Sequence, residues 1–433
     1  VNPRRSLPVA IVYALAFAWL LGKAAAFRAL VPPGVPPDEP VHVSYVAYLE
    51  ETGRFVPRYE DMRLLDAAGR PGPLNSNFAH PSAYYAVIGA LEGLGRVGAG
   101  TDLASRTRRL RLASAPLFAA AAALFLFIGF RRDAPLAGHV VYAAAVATVP
   151  PLAFVGAAVS NDVLAFLSGG VVLLGLARWF EGRADALTGA LIGAGLALAL
   201  LSKATAGLLA VAATAGTLLL ARRVVPPRKS GKLLLLALPW LLLPALHYVP
   251  VLLRYGTPIP SLDVVDPVAF ARSDFVEAQG GALLSLAEWG FRMGKVFAST
   301  WLSIISHIWL PVGPAWSLAG PALLLLLAAA GLAAPAREEP ERAGRALALV
   351  GAGAVLFTLL VNVDHARRAY LATGRLGGMH ARYYLSFLPC LGLAAALGLR
   401  RLPAKSWLAA ALAALLLLAD ARVTFRYLRL FVE

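Results

Sequence analysis

Eleven apolar stretches, each close to the length of one bilayer crossing, recur along this chain of 433 residues and leave it one class of fold. A helix needs about 20 mostly apolar residues to cross hydrocarbon, because without water every backbone N–H and C=O must be bonded within the segment. The stretches are 8–30, 112–130, 136–158, 163–180, 186–202, 204–221, 232–253, 318–334, 344–363, 383–399 and 405–421. Composition agrees, with 59% hydrophobic residues, 15% charged residues and a mean hydropathy of +0.69. One water-soluble core could not enclose that much apolar surface. The expectation is an all-α polytopic membrane protein.

A net charge of +16 would direct a soluble protein toward nucleic acid. Here the basic residues sit in short loops between apolar stretches. Arg4-Arg5, Arg131-Arg132, Arg178 with Arg183, the run Arg222, Arg223, Arg228, Lys229 and Lys232, then Arg337, Arg342 and Arg345, and finally Arg400, Arg401 and Lys405 occupy alternate loops. All fall on one side, which the positive-inside rule makes cytoplasmic. The intervening connections are very short, as at Ser160-Asn161-Asp162 and Ser202-Lys203, or long and polar, as at 31–111, 254–317 and 364–382. The long ones are therefore expected outside. The first stretch lacks a small-residue cleavage site and is expected to stay as a helix. The lone Cys390 lies in an apolar run, so disulfides play no part.

This pattern reads as one membrane domain over 1–433, with a first extracytoplasmic loop at 31–111 and a second elaboration at 254–317. The prolines of Val31-Pro32-Pro33-Gly34-Val35-Pro36-Pro37 end the first helix, since they remove N–H donors and fix φ. From Asp38 to Thr52 the spacing of Val41, Tyr45, Tyr48 and Leu49 predicts a short amphipathic helix on the membrane surface, and Pro81 to Leu94 predicts another. The second elaboration carries Asp263, Asp266, Asp274, Glu277 and Glu288 ahead of Phe297, Trp301, Trp309 and Trp316. Those aromatics fit the headgroup belt first, and would also suit a surface for sugar rings or a lipid tail.

Candidate chemistry starts at Asp38, Glu39 and His42, where two carboxylates and an imidazole follow the first helix directly. Asp38 could be a plain helix cap with Glu39 as a first-turn acid. A cap, however, needs neither the second acid nor the histidine one turn on. Asn161-Asp162 sits in a tight turn on the same side, where both residue types also cap helices. Lys203 interrupts two apolar helices, so its charge must reach an anion or snorkel to the headgroups. Arg382 opens the tenth stretch and could hold a phosphate by two parallel bonds, either a substrate's or an ordinary lipid's. No Asp-X-Asp, His-X-His or Cys/His cluster has metal-ligand spacing, so a divalent metal is not favoured. His80, His307, His365 and His380 all fall outside but are too dispersed for sequence to join.

Several of these blocks, in their order, carry a resemblance. They are Pro36-Pro37-Asp38-Glu39-Pro40-Val41-His42, His80-Pro81 with Tyr84-Tyr85, Ser160-Asn161-Asp162, Leu201-Ser202-Lys203 and Ala381-Arg382-Tyr383-Tyr384. The chain resembles GT-C glycosyltransferases that use polyprenyl-phosphate sugars, such as protein mannosyltransferases and lipid A aminoarabinose transferases, and more specifically a branch of predicted bacterial membrane proteins among them. Two positions depart from that branch: Ser82 where a second proline is common, and Ala381 where a glycine is.

The resemblance implies a GT-C-like bundle of about 11 transmembrane helices with interfacial helices in the first outer loop. It implies inverting transfer of a sugar from a polyprenyl-phosphate donor, such as an undecaprenyl phosphate, to a hydroxyl of a glycan, lipid or protein. The reaction would take place outside the bacterial inner (plasma) membrane and without a cofactor. Asp38 matches the catalytic base, and Glu39 would orient the acceptor or His42. His80, Tyr84, Asn161, Asp162, Lys203, His380, Arg382 and Tyr383 would bind substrate. The competing class is a polytopic transporter or lipid-linked-saccharide flippase. Such proteins keep ionisable residues near the bilayer midplane, whereas the notable charges here gather at one face.

Overall fold

The computed structural model describes residues 3–36, 38–75, 80–94, 102–221, 227–272, 283–302, 315–335, 339–374, 376–403 and 405–432. Arg222, Arg223, Asp274, Glu277, His307, Trp309 and Arg337 lie outside the described residues.

All eleven apolar stretches are helical. The helices are α1 (Pro3–Leu30), α2 (Glu39–Thr52), α3 (Ala83–Leu94), α4 (Leu103–Phe130), α5 (Leu136–Ala147), α6 (Pro150–Ala157), α7 (Asp162–Phe180), α8 (Ala186–Ser202) and α9 (Ala204–Ala221). They continue as α10 (Pro227–Ala237), α11 (Leu242–Tyr255), α12 (Leu262–Val265), α13 (Pro267–Arg272), α14 (Leu286–Leu302), α15 (Ala319–Ala333), α16 (Glu339–Thr373), α17 (Leu388–Leu399) and α18 (Lys405–Arg429). A 3-10 turn, Ala381–Phe387, leads into α17. Among the described residues seven helical segments are long and apolar enough to cross a membrane, and the bent α5–α6 pair makes an eighth if its halves form one span. Helices α8, α9 and α15 occupy three further expected crossings and are shorter.

Local chemistry moves several boundaries away from the hydropathy reading. Helix α4 begins well before residue 112 because Asp102 caps it, accepting the Ser105 N–H at 2.9 Å. Helix α16 runs on through Asp364 and Arg368, which pair one turn apart at 3.0 Å. The expected outer loop 364–382 is thereby reduced to a link between Thr373 and the 3-10 turn. Helix α2 buries much of its surface in protein. It packs on α3, α4 and a small antiparallel hairpin (β1, Arg63–Leu65; β2, Pro71–Leu74), and Val43, Tyr45 and Val46 are fully buried. That hairpin is the sole exception to an all-helical architecture among the described residues.

The break between α5 and α6 turns the chain by 49°. Pro150 and Pro151 have no N–H, so the carbonyls of Val146 and Ala147 lose their partners one turn on. Lys23 of α1 supplies one, donating to the Ala147 carbonyl at 3.0 Å. The same ammonium pairs with Asp420 of α18 at 2.6 Å, and the Trp19 indole N–H reaches that carboxylate at 2.7 Å. Both charges are buried, and each is partnered.

Helix α7 sets the axis of the bundle, packing on α4, α8 and α9. Its 19 residues span roughly 28 Å, so the loops at its two ends are well separated. At one end Arg131 and Arg132 pair with Glu181 at 2.6 and 3.2 Å, while Arg400 and Arg401 pair with Glu341 at 2.9 and 3.3 Å. At the other end Asp162 opens the helix. Gly169 lets the 3-10 turn approach α7 on that side, since a β-carbon there would stand 2.3 Å from the Ser386 carbonyl oxygen.

Candidate functional site

The prolines that end α1 bring the chain to Asp38 in an unusual state. Asp38 has φ 60° and ψ 10°, the one positive φ outside glycine among the described residues. This left-handed conformation is costly for a residue with a β-carbon, and Asp is among the few that adopt it. Asp38 stands at the cap position of α2, yet its side chain makes no capping bond. The simple cap reading therefore fails. The carboxylate turns instead to Arg382, whose Nη2 donates to Oδ2 at 3.2 Å. It keeps 37% of its surface open, the most accessible charge of the cluster.

The two short outer turns form a single unit. Asn161, expected at the substrate, is buried and donates through Nδ2 to the Ser202 carbonyl at 3.0 Å, which fills an acceptor at the end of α8. Asp162 beside it accepts from Lys203 Nζ at 2.6 Å, and its other oxygen lies 3.8 Å from Arg382 Nε. Lys203 is 11% exposed, so it does not snorkel to water. Its ammonium also sits over the Tyr383 ring, 4.3 Å from the centroid. Arg382 is placed by the 3-10 turn, where the Ala381 N–H is held by the Thr300 hydroxyl at 2.8 Å. Although buried, Arg382 Nε has no hydrogen-bond partner.

Three imidazoles surround these charges. His42 Nδ1 lies 2.8 Å from the Tyr85 hydroxyl, the His42 and His80 rings are 6.0 Å apart, and the His380 and Tyr383 rings 5.5 Å apart. Burial pulls His42 down to about 4. Burial, reinforced by Lys203, takes His80 to about 3, and burial with Arg382 takes His380 to about 4. All three are neutral at pH 7. For Asp38, burial alone would raise the carboxyl, but Arg382, with His42 and Lys203 behind it, holds it below the usual carboxylate range.

Two expected residues stand behind the cluster. Tyr84 is fully buried, its hydroxyl accepting the Ser160 N–H at 2.9 Å and lying 3.1 Å from Ser114 Oγ. It braces the Asp162 turn and has no open face for substrate. Glu39, expected to orient the acceptor or His42, points away from Asp38 into a buried pair with Arg111. Arg111 Nε and Nη2 donate to its two oxygens, both at 2.7 Å. The same oxygens accept the N–H groups of Val159 and Gly34 at 3.0 and 2.9 Å, so the carboxylate is fully engaged within the protein. Sequence reasoning missed Arg111 because it falls in a run with Arg106, Arg108 and Arg109 that reads as loop. Its flanking Leu110 and Leu112 were the signal that it already lies on a helix.

Among the described residues no three His, Cys, Asp or Glu side chains converge as metal ligands. Asp38 and Asp162 each face a cation, which a divalent ion would have to displace.

No protein-family model and no curated protein matches the chain. Among solved structures it is similar to ArnT from Cupriavidus metallidurans bound to undecaprenyl phosphate, at 17% identity and a TM-score of 0.47, over 92% of this chain and 61% of that one. It is also similar to the apo oligosaccharyltransferase of Archaeoglobus fulgidus, at 15% identity and a TM-score of 0.44, over 98% of this chain and 56% of that one. The chain thus spans less than two thirds of the length of either.

Proposed function

We propose that the chain is an inverting membrane glycosyltransferase. It would move a sugar from a polyprenyl-phosphate donor to an acceptor hydroxyl at the extracytoplasmic face of a bacterial inner membrane. One observation carries the reading: two carboxylates alternate with two cations at the end of the bundle away from the arginine-rich loops, with one guanidinium nitrogen left unbonded. The positive-inside rule makes the arginine-rich end cytoplasmic and the cluster extracytoplasmic.

The chemistry follows from this charge order. Lys203 and Arg382 are the cations available to a donor phosphate, and Arg382 can offer Nε without losing an existing hydrogen bond. Asp38 is ionised at neutral pH and is the most open of the carboxylates, which supports its reading as the group that takes the acceptor's proton. The acceptor oxygen attacks the anomeric carbon and the bond from that carbon to phosphate oxygen breaks. The proton passes to Asp38, and the polyprenyl phosphate leaves as an anion held by the two cations. A single displacement inverts the sugar carbon.

The test is incubation of detergent-solubilised protein with defined polyprenyl-phosphate sugars and an acceptor, reading release of free polyprenyl phosphate. Asp38→Asn should remain folded and lose turnover by at least ~10²-fold; undiminished turnover refutes the assignment. The buried Lys23–Asp420 pair is the observation that favours transport, but its ammonium and one carboxylate oxygen are used by Ala147 and Trp19 at the helix break. Movement of lipid-linked saccharide across liposomes without chemical change would support that rival.

A further inference from the structure

We infer that the buried Glu39–Arg111 ion pair is the positioning element for Asp38 and Asp162 together, resting on the catalytic reading above. Glu39 follows Asp38 directly in the chain, so whatever fixes the Glu39 side chain also fixes the peptide that holds Asp38 in its left-handed state. Four bonds do so. Arg111 of α4 contributes two, the Gly34 N–H ties the pair to the exit from α1, and the Val159 N–H ties it to the end of α6. Val159 stands three residues before Asp162, in the strand of chain that Tyr84 also grips at Ser160.

Arg111 completes the lock from its other side. Nη1 donates to the Val31 carbonyl at 2.7 Å and Nη2 to the Pro32 carbonyl at 3.1 Å. The carbonyls just beyond a helix end in a proline-rich segment have few backbone donors available, and Arg111 supplies them. A buried ion pair contributes little net stability unless its remaining lone pairs and protons are satisfied, and here they are. Its effect is geometric. The two segments that carry acids, 31–39 and 158–162, are distant in sequence, and this one pair joins them. It explains why Asp38 is followed by a second acid: one carboxylate faces the site, the other holds the first in place.

The experiment compares Glu39→Gln and Arg111→Lys with the wild-type full chain. Both substitutions keep size and polarity but break the paired geometry. Hydrogen exchange read by mass spectrometry should show peptides covering 31–42 and 157–163 opening together, at least tenfold faster than in the wild type, while peptides from α8 are unchanged. Turnover should fall at least ~30-fold, because the base is no longer held against the acceptor. The acid limb of the pH profile should persist, since Asp38 still titrates. Exchange rising in only one of the two segments overturns the inference, as does loss of the acid limb in Glu39→Gln, which would make Glu39 the base. Should either variant not fold, the other carries the test; if neither folds, the pair is a general stability element and the inference is overturned. The exchange result does not depend on sugar transfer, so failure of the catalytic reading is distinguishable from failure of this one.

Discussion

Replacing Asp38 with Asn should make the protein bind free polyprenyl phosphate more tightly while abolishing transfer. Asn tolerates the left-handed backbone at this position, so the local conformation is retained. The Asp38 carboxylate engages Arg382 at 3.2 Å, so an incoming phosphate competes with it for the same guanidinium. Two unit charges at that separation attract by roughly 5 kcal/mol at an effective dielectric near 20, and by about 1 kcal/mol in water. Because 37% of the Asp38 side chain is open to solvent, the lower part of that range applies. A gain of ~1–2 kcal/mol corresponds to roughly 5- to 30-fold tighter binding. Titration calorimetry with a short-chain polyprenyl phosphate, at pH 7 and fixed salt, reads this directly. Folded Asp38→Asn protein that binds with wild-type affinity or more weakly would refute the competition between carboxylate and phosphate.

The same competition gives the pH profile a direction. Activity needs ionised Asp38, so kcat/KM should fall on the acid side only below the ordinary carboxylate range, and the limb in kcat should lie at higher pH, because bound donor draws Arg382 away; stopped-flow profiles with the limbs coinciding would contradict it. The neutral imidazoles of His42, which is buried, and of His80 and His380, which are partly buried, near 4, 3 and 4, take up protons on unfolding at any pH between those values and about 6.5. Stability should therefore fall as pH drops below 6.5, seen as a lower Tm at pH 4.5 than at pH 7 and a smaller difference in His42→Gln. At the helix break, Lys23→Met should cost ~3–5 kcal/mol by leaving Asp420 unpaired, and Lys23→Met with Asp420→Leu should recover most of it, measured by thermal unfolding in detergent.

Periodicity and charge were enough to read the helical class and the division into a basic end and an end bearing acids, because lipid imposes both rules locally along the chain. The convergence of Asp38, Asp162, Lys203 and Arg382 was legible only as four separate oddities, each a charge beside an apolar run. What the sequence concealed is partnership. Nothing local marks that Arg111 belongs to Glu39, or that Lys23, set inside a long apolar stretch, answers a carbonyl freed by Pro151. Nor does amphipathic spacing say whether an apolar face meets lipid or protein; that of α2 meets α3, α4 and the hairpin.

Helix α16 has 35 residues and is therefore roughly 52 Å long, while its apolar stretch, 344–363, is about 30 Å and matches one hydrocarbon layer. Its Asn362 holds the Tyr384 hydroxyl at 2.8 Å, two residues from Arg382. An apolar stretch matched to one bilayer thickness answers a thinner bilayer by tilting. Tilt of α16 would raise or lower the turn that carries Arg382 relative to Asp38 and Asp162, which other helices hold. Acyl-chain length of the surrounding lipid thus becomes a variable of the charge cluster's geometry.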